Sequence, residues 1–333
     1  MWRSPGLKMH WPESPLVVVV GPTAVGKTEI ALQLAERLDG EIVSVDSRLF
    51  YRGMDIGTAK PTASDRMRIP HHLVDVTEPD QPWSLSKFQD EVRRCIAQIH
   101  ERDRIPLLVG GTGQYVRAVV EGWLPPEHAG DEHLRNVLET WADIIGRFEL
   151  HEKLAILDPS AARSIDATNL RRTIRALEVI LTSGKRFSEQ RRKGGCMYSV
   201  LQIGLIRPRE ELYRRIDERI ETMVTKGLLE ETRQLMTKGY STNLPGLSAI
   251  GYREMVEVLE GKISLEEAIV LMKRKTREYV RRQANWFKLE DPLIRWFDAG
   301  LTPVEDIVDF IRSGIGWIAP INQYEVADGK TLD

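Results

Sequence analysis

One segment, residues 21–28, constrains the fold of this 333-residue chain more than any other. It reads GPTAVGKT, which matches the pattern Gly-x-x-x-x-Gly-Lys-Thr, and it follows the apolar run LVVVV of residues 16–20. Such a run is typical of a strand that is buried on both faces of a parallel sheet. After the segment, Ile30, Leu34 and Leu38 recur at helical spacing. The pattern therefore predicts a strand, a glycine-containing loop and a helix in succession.

The loop of such a unit is expected to bind a phosphate group. Its backbone N–H groups converge on an anion, and the N-terminus of the following helix adds a partial positive charge. Gly26 allows the backbone to approach the ligand closely, Lys27 supplies a positive charge, and the Thr28 hydroxyl can hold Mg²⁺. The pattern favours a diphosphate or triphosphate ligand, but it does not identify the compound that carries the phosphates.

The acid that phosphate-loop kinases and ATPases usually carry is missing from its expected place. In those enzymes an Asp at the end of a buried strand helps to hold Mg²⁺. The predicted strand Ile105–Val109 runs instead into Gly110 and Gly111. One acid, Asp46, does end the predicted strand 41–46, and small-molecule kinases of this fold can use a residue in that place. Phosphoryl transfer is therefore disfavoured but stays an alternative.

The order of the elements predicts an α/β fold: a parallel sheet like that of P-loop NTPases, with a mostly helical insertion domain and a helical C-terminal part. The first helix is expected to end at Gly40, in a left-handed cap. Residues 47–61 are too polar and too rich in glycine for a core element. Beyond Asp291 no pattern predicts an element.

A change of sequence pattern after Gly122 predicts that the chain is divided into two domains. The segment WLPPEHAG is typical of a linker, amphipathic helices follow it, and residues 198–205 again have the pattern of a strand. The simplest interpretation is a helical insertion domain, residues 123–195, within a core domain formed by residues 1–122 and 196–333.

Charge is distributed unevenly along the chain. The 47 Lys and Arg residues nearly balance the 49 Asp and Glu residues, which excludes a wholly polybasic protein. Residues 163–219, however, contain fourteen Lys or Arg against seven acids, and residues 273–288 contain seven against Glu278 alone. Such segments favour a basic surface with a polyanionic partner such as a nucleic acid. Solvated helix faces are the alternative interpretation.

Cysteine usage and hydropathy narrow the class of protein further. The two cysteines, Cys95 and Cys196, exclude a disulfide scaffold and a four-cysteine zinc site, and Cys95 is expected in the core. The apolar run of residues 16–20 is too short for a membrane span or a signal-peptide core. A cytoplasmic enzyme with no membrane association is therefore expected.

Six blocks in order resemble one family, the tRNA dimethylallyltransferases, also called tRNA isopentenyltransferases. The resemblance spans about residues 17–288, and the block GMDIGTAKP is specific to this family rather than to phosphate loops. Gln114 and the pair Leu49–Phe50 depart from the residues that are more usual at their positions. The blocks are GPTAVGKT, VSVDSRLFYRGMDIGTAKP, PHHLVDV, PLLVGGTGQY, RALEV and SAIGYRE.

The resemblance implies a transfer reaction on RNA. The dimethylallyl group of dimethylallyl diphosphate would pass to the exocyclic amine of the adenine that lies 3′-adjacent to the anticodon in tRNA, with release of diphosphate. This is the first step of tRNA isopentenyladenosine modification. The partners would be the tRNA anticodon stem-loop and the donor, the cofactor Mg²⁺, and the active form a monomer. Because the loop would then stabilise a leaving group, the missing strand-end acid is understandable.

The resemblance also implies roles for individual residues. Asp46 would be the general base, with the Thr23 hydroxyl near the reacting groups, and Thr28 would hold Mg²⁺. The diphosphate would bind Gly21, Pro22, Thr23, Ala24, Val25, Gly26, Lys27, Thr28 and, on a later helix, Arg215 or Arg219. The tRNA contacts would be Asp46, Ser47, Arg48, Leu49, Thr112, Arg135, Arg171, Arg172, Thr173, Ile174, Arg175, Ser248, Ala249, Ile250, Gly251, Tyr252 and Arg253.

Three other functions stay open at this point: prenylation of free adenine nucleotides, a phosphate-loop kinase or ATPase, and an RNA-binding protein without catalysis. The long helical insertion and the two basic segments favour the larger RNA substrate. The run of residues 273–288 interleaves bases with Tyr279, Trp286 and Phe287. These aromatics could stack on RNA or pack inward, and we expect a mixture, with the aromatics in the core.

Overall fold

The computed structural model describes residues 14–81, 83–124, 131–190 and 192–315. The chain forms two compact units, one made of Met1–Val120 with Cys196–Asp333 and the other of Glu121–Gly195. We name the first the α/β unit and the second the helical unit. Residues 125–130, which form most of the expected linker, lie outside the described residues.

Eight strands lie within the described parts of the chain: β1 (Pro15–Val20), β2 (Gly40–Ser44), β3 (His71–His72), β4 (Ile105–Val109), β5 (Trp123–Leu124), β6 (Arg192–Lys193), β7 (Ser199–Ile206) and β8 (Ile294–Asp298). Six of them form one sheet in the order β3-β2-β4-β1-β7-β8, and every pair in it is parallel. The predicted α/β class with a P-loop-like parallel sheet is confirmed.

Helices cover both faces of this sheet and make up most of the helical unit. They are α1 (Lys27–Leu38), α2 (Ala63–Arg68), α3 (Leu85–Glu101), α4 (Gly113–Val120), α5 (Glu132–Ile145), α6 (Arg147–Leu157), α7 (Pro159–Ser164), α8 (Leu170–Ser183), α9 (Phe187–Gln190), α10 (Arg209–Thr225), α11 (Leu228–Thr237), α12 (Tyr252–Leu259), α13 (Leu265–Ala284) and α14 (Val304–Ile315).

Strand β1 explains why its sequence is continuously apolar. Val17 and Val19 point into one core, which includes residues of α1, α10 and α14, and Val18 and Val20 point into a second core with residues of α3 and α4. All four valines are fully buried. Since burying a Val side chain contributes about 1.5–3 kcal/mol, the centre of the sheet is strongly held. The two loops that follow β1 and β4 therefore rest on a rigid base.

The prediction that Gly40 caps the first helix was wrong. Asp39 adopts the left-handed conformation, with φ of 50°, and its backbone N–H bonds to the Ala35 carbonyl. Gly40 instead begins β2, where a Cβ would lie 2.3 Å from Leu107 Cδ1 and 2.8 Å from the Ile105 carbonyl. The glycine allows close packing against β4, and the left-handed turn comes one residue earlier.

Two further expectations differ from the structure. Residues 47–61 contain no helix and no regular strand, yet Phe50 and Met54 are fully buried. Phe50 packs 5.8 Å from Phe88 and 6.0 Å from Tyr115, measured between ring centroids. Beyond residue 291, β8 adds an edge strand and α14 packs on α1. That short, half-exposed strand reads IRWFD, which is why no pattern predicted it.

The helical unit has a hydrophobic core of its own, formed by residues of α5 to α8 such as Leu138, Leu150, Leu154 and Leu177. A short antiparallel ribbon pairs β5 with β6. Asp158, whose side chain is fully buried, accepts hydrogen bonds from the backbone of α7 and from both Ser188 donors. The unit therefore has the internal packing of a folded domain.

Candidate active site

The phosphate loop joins β1 to α1 at the carboxyl edge of the sheet. Ala24 and Gly26 take left-handed conformations, with φ of 65° and 110°. At Gly21 a Cβ would lie 2.6 Å from the Leu205 carbonyl of the neighbouring strand β7, so no larger residue fits. The loop is therefore a tight turn that presents its backbone at the start of α1, which is the geometry of an anion site.

Lys27 folds back over this loop. Its Nζ donates hydrogen bonds to the Gly21 carbonyl at 3.0 Å and to the Pro22 carbonyl at 2.8 Å. The pKa of Lys27 is lowered to about 8, chiefly by desolvation; the negative charge of Asp46 opposes this shift and the positive charge of Arg219 adds to it. The ammonium group thus lies where an anion bound by the loop would meet it.

Three arginines surround the loop. Arg215 Nε donates to the Ala24 carbonyl at 2.8 Å, and Arg207 Nε donates to the Val25 carbonyl at 2.9 Å. Desolvation lowers the pKa of Arg219, which Asp46 partly offsets. The sequence resemblance indicates Arg215 and Arg219, whereas Arg207 was missed. Its place directly after β7, the strand beside β1, was the signal that could have found it.

Arg207 is the most firmly held of these three cations. Its Nη1 pairs with Glu211 at 2.5 Å and its Nη2 donates to the Ala299 carbonyl at 2.7 Å. By contrast, among the described residues Arg215 has the loop carbonyl as its hydrogen-bond partner and no acid within ion-pair distance. Arg207 therefore fixes the loop, whereas the terminal nitrogens of Arg215 have no hydrogen-bond partner among the described residues.

Asp46 lies two residues beyond β2, half buried at the same edge of the sheet. Its Oδ1 accepts a hydrogen bond from the Arg48 backbone N–H at 3.0 Å, which fixes the turn that follows. Its negative charge raises the pKa of Lys27, Arg219 and Tyr279, so the carboxylate lies among these groups. A carboxylate and the lysine of the phosphate loop therefore lie in one site.

For Tyr279 on α13, the sequence indicates only that the ring either stacks on RNA or packs in the core. Desolvation, followed by the negative charge of Asp46, raises the pKa of Tyr279 to about 12, and the nearby Thr112 side chain partly opposes this rise. The expected inward packing of Trp286 and Phe287 is confirmed: Phe287 is buried in the core that contains residues of α3 and α4, and Trp286 packs against this core. Contact of this helix with RNA stays a prediction.

The block at residues 248–253 is placed partly inside the α/β unit. Tyr252 is fully buried, and its hydroxyl donates to Glu231 Oε1 at 2.5 Å. The Glu231 carboxylate in turn accepts the backbone N–H groups of Asp55, Ile56 and Gly57. Of the six residues proposed here for tRNA contact, Ser248 and Arg253 are exposed and Ile250 is half buried, while the other three are buried: Ala249, Gly251 and Tyr252.

The predicted RNA contacts of the helical unit also divide by burial. Thr173 and Ile174 are buried in its core, and Thr173 Oγ1 lies 3.2 Å from His151 Nδ1. Arg171 and Arg172 are exposed. The Thr173 and Ile174 side chains therefore hold α8 in place, and the arginines are the side chains that can meet a partner. Arg135 and Arg175 pair with Glu178.

The part of the chain that the structure describes contains no cluster of three His, Cys, Asp or Glu that could ligate a metal ion. Thr28 is exposed in the first turn of α1. Within the described ranges no helix is long and apolar enough to cross a membrane.

The parallel sheet and the glycine-rich loop between β1 and α1, with cations converging on the loop, place the chain among the P-loop proteins. A sequence model of the IPP transferase family matches residues 49–290, and the chain belongs to this family. The family predicted from the six blocks is confirmed.

Relatives of known name cover most of the chain. It is 49% identical to the tRNA dimethylallyltransferase of Roseiflexus sp. (strain RS-1) over 82% of this chain and 90% of that protein. It is 46% identical to the tRNA dimethylallyltransferase of Thermomicrobium roseum over 85% of this chain and 86% of that protein.

Solved structures share the fold. The tRNA isopentenylpyrophosphate transferase of Bacillus halodurans matches 91% of this chain and 97% of its own, with 42% identity and a TM-score of 0.69. A eukaryotic dimethylallyltransferase, solved in structures of it acting on tRNA, matches 93% of this chain and 82% of its own. Its identity to this chain is 25% and the TM-score is 0.79.

Proposed function

We propose that this chain transfers the dimethylallyl group of dimethylallyl diphosphate to the exocyclic amine of the adenine 3′-adjacent to the anticodon in tRNA. The observation that carries the proposal is the shared site of Asp46 and Lys27 at the phosphate loop, in a chain 49% identical to a tRNA dimethylallyltransferase. A carboxylate beside an anion site suits a reaction in which diphosphate leaves while a proton is removed.

The diphosphate would be held by the loop and its cations. The N–H groups at the start of α1, the Lys27 ammonium and the terminal nitrogens of Arg215 would meet the oxygens that become negative as the allylic carbon–oxygen bond breaks. Lys27 already lies over the loop, 2.8 Å from the Pro22 carbonyl, so little movement is needed. These groups then stabilise the leaving diphosphate more strongly than the bound donor.

Asp46 would act on the other substrate. The adenine amine is a weak nucleophile because its lone pair is delocalised into the ring, and it becomes acidic as its bond to the allylic carbon forms. A carboxylate in reach of the amine takes that proton as the new carbon–nitrogen bond replaces the carbon–oxygen bond. The backbone N–H of Arg48 holds the carboxylate at 3.0 Å. Because an unpaired loop base can be unstacked and inserted, tRNA is a suitable substrate.

The residues at the loop fit a magnesium ion that binds mainly through the substrate. Mg²⁺ keeps several waters and is commonly bound through one or two protein groups plus phosphate oxygens. The hydroxyl of the exposed residue Thr28, next to Lys27 in the first turn of α1, would be such a protein group. When bound, the ion would neutralise negative charge on the departing diphosphate.

We further propose that each unit contributes tRNA contacts. In the α/β unit these are the Asp46–Leu49 turn, Thr112 and the exposed residues of the 248–253 block. In the helical unit they are Arg135, Arg175 and the exposed pair Arg171 and Arg172. The expectation that the enzyme acts as a monomer stays a prediction.

A donor-specificity assay tests the function. The chain is incubated with labelled dimethylallyl diphosphate and either unmodified tRNA or AMP, and the products are separated by thin-layer chromatography. Label in tRNA alone is expected. Label on AMP alone would assign the chain to free-nucleotide prenylation, and ATP turnover without label transfer would assign it to the kinases. Tight tRNA binding without either activity would leave an RNA-binding protein.

A further inference from the structure

The side chain of Gln283 lies between two loops at the carboxyl edge of the sheet. Its Oε1 accepts a hydrogen bond from the Thr23 backbone N–H at 2.9 Å, and its Nε2 donates one to the Gly111 carbonyl at 3.0 Å. Thr23 belongs to the phosphate loop after β1, and Gly111 belongs to the loop after β4, the strand that pairs with β1. One amide group on α13 therefore joins the two loops.

The two partners allow this amide a single orientation. A backbone N–H can only donate and a carbonyl can only accept, so Oε1 must face Thr23 and Nε2 must face Gly111. Gln283 is 5% exposed, so water cannot readily replace it. A side chain without these two groups would leave a partly buried N–H and a buried carbonyl unsatisfied, which is the costly way to lose a hydrogen bond.

The site is shaped for the amide. At Gly111 a Cβ would lie 2.3 Å from Gln283 Nε2 and 3.2 Å from the Gly21 carbonyl, so only a glycine leaves room for it. The sequence pattern marks Gly111 only as the place of a missing acid. The structure explains why a glycine is needed at this position: the loop approaches both Gln283 and the phosphate loop too closely for a side chain.

Neighbouring turns of α13 support the same loop. One turn before Gln283, Tyr279 lies beside the Thr112 side chain of this loop. Just after the helix, Trp286 packs so closely on Gly113 that a Cβ there would lie 2.2 Å from the indole Cγ. The contacts of Gln283 are therefore part of a continuous packing of α13 along this edge, and the amide has little freedom to leave the phosphate loop.

We propose that Gln283 is a positioning residue for the donor diphosphate, acting through the phosphate loop whose Thr23 N–H it holds. The proposal rests on the proposed function, which makes a diphosphate the ligand of the loop. The loop contains two left-handed residues, Ala24 and Gly26, and such a backbone has alternative conformations when it is not tied down. Because Gln283 fixes it before the ligand arrives, the ordering cost on binding is reduced.

Calorimetry of the full chain with inorganic diphosphate and Mg²⁺ tests this role without any catalysis. Gln283→Met keeps the length of the side chain and removes both polar atoms. We expect the Kd for diphosphate to rise about tenfold, because a tenfold change in Kd corresponds to roughly the net free energy of one hydrogen bond.

Gln89→Met is the matched control. Gln89 is 3% exposed on α3 and its Nε2 donates to the Ala118 carbonyl at 2.8 Å, so the same change removes a comparable buried hydrogen bond away from the loop. Both variants should lose thermal stability, and Gln283→Met alone should lose diphosphate affinity. A purely structural glutamine would lower the Tm and leave the Kd unchanged.

Gln283→Glu supplies a second readout if the Met variant does not fold. A protonated carboxyl can accept from Thr23 and donate to Gly111, whereas an ionised one cannot donate and repels the diphosphate. The affinity of this variant relative to wild type at each pH should therefore recover as the pH falls.

Equal diphosphate affinity in wild type and Gln283→Met, or a flat affinity ratio for Gln283→Glu, would overturn the positioning role. A wild-type chain that binds no diphosphate would instead overturn the proposed function itself. The two failures are thus distinguishable, because only the second is visible in the unmodified protein.

Discussion

Arg135 on α5 donates a 3.0 Å hydrogen bond to Glu178 on α8, a carboxylate with no exposed surface. Arg175 donates to the other oxygen of the same carboxylate at 2.7 Å. The two arginine side chains are 43% and 35% exposed. Since charge-assisted bonds fix guanidinium orientation, Glu178 aims two cations at the surface of the helical unit while joining two of its helices.

Replacing this buried carboxylate should weaken both the helical unit and RNA binding. For Glu178→Ala we expect the free energy of unfolding to fall by about 3 kcal/mol, the low end for a broken buried pair, because both arginines keep access to water. Denaturant unfolding measures this. Glu189→Ala, which removes an exposed partner 3.9 Å from Arg186, should change stability by less than about 1 kcal/mol. Equal losses in the two variants would contradict the role of Glu178.

Asp46→Ala tests the general base. The variant should lose about a hundredfold or more in kcat, as expected when a base in the transition state is removed, while tRNA affinity is nearly retained. Steady-state kinetics and filter binding measure the two quantities. Asp90→Ala, at an exposed position on α3, is the control and should keep wild-type turnover. Wild-type turnover in Asp46→Ala would refute the role.

The pKa of Lys27, about 8 in the free chain, predicts a pH dependence of diphosphate binding. A bound anion favours the charged lysine, so binding should take up a proton above that pH, and affinity should fall as the pH rises through 8. Calorimetry in buffers of different ionisation enthalpy measures the proton uptake. In Lys27→Met the affinity should be lower and this extra dependence absent. A wild-type dependence no steeper than that of the variant would count against Lys27.

The exposed arginines of α8 should contribute to RNA affinity by neutralising phosphates. In the double variant Arg171→Ala, Arg172→Ala, the slope of log K against log salt should flatten by about 0.7–0.9 for each phosphate that is no longer neutralised. Filter binding across a salt series measures the slope. Arg94→Ala with Arg233→Ala removes the same charge from exposed sites on other helices and should not change it. An unchanged slope in the α8 variant would remove both arginines from the RNA-binding surface.

The parts of the site that could be predicted from the sequence are those encoded by neighbouring residues. The phosphate loop was recognisable because Gly26, Lys27 and the strand before them form one continuous pattern. Asp46 was placed correctly at the sheet edge because it follows a short apolar strand. Local spacing carries this information, because the conformation of the loop and the burial pattern along a strand follow from adjacent residues.

The parts that could not be predicted depend on contacts between distant residues. Gln283 reaches Thr23 across 260 positions, and Arg207 reaches Val25 across 182. Glutamine and arginine are ordinary residues on helices and at strand ends, so neither stands out until the fold brings its partner close. The same holds for Thr173 and Ile174, whose burial depends on how the helices of their unit pack.

The most direct measurement of the central claim is mass spectrometry of unmodified tRNA after incubation with the chain and dimethylallyl diphosphate. The account predicts a digestion fragment that carries one added dimethylallyl group on the exocyclic amine of the adenine 3′-adjacent to the anticodon, with diphosphate released in equal amount. Unmodified adenine at that position, under conditions in which the chain binds both tRNA and diphosphate, would contradict it.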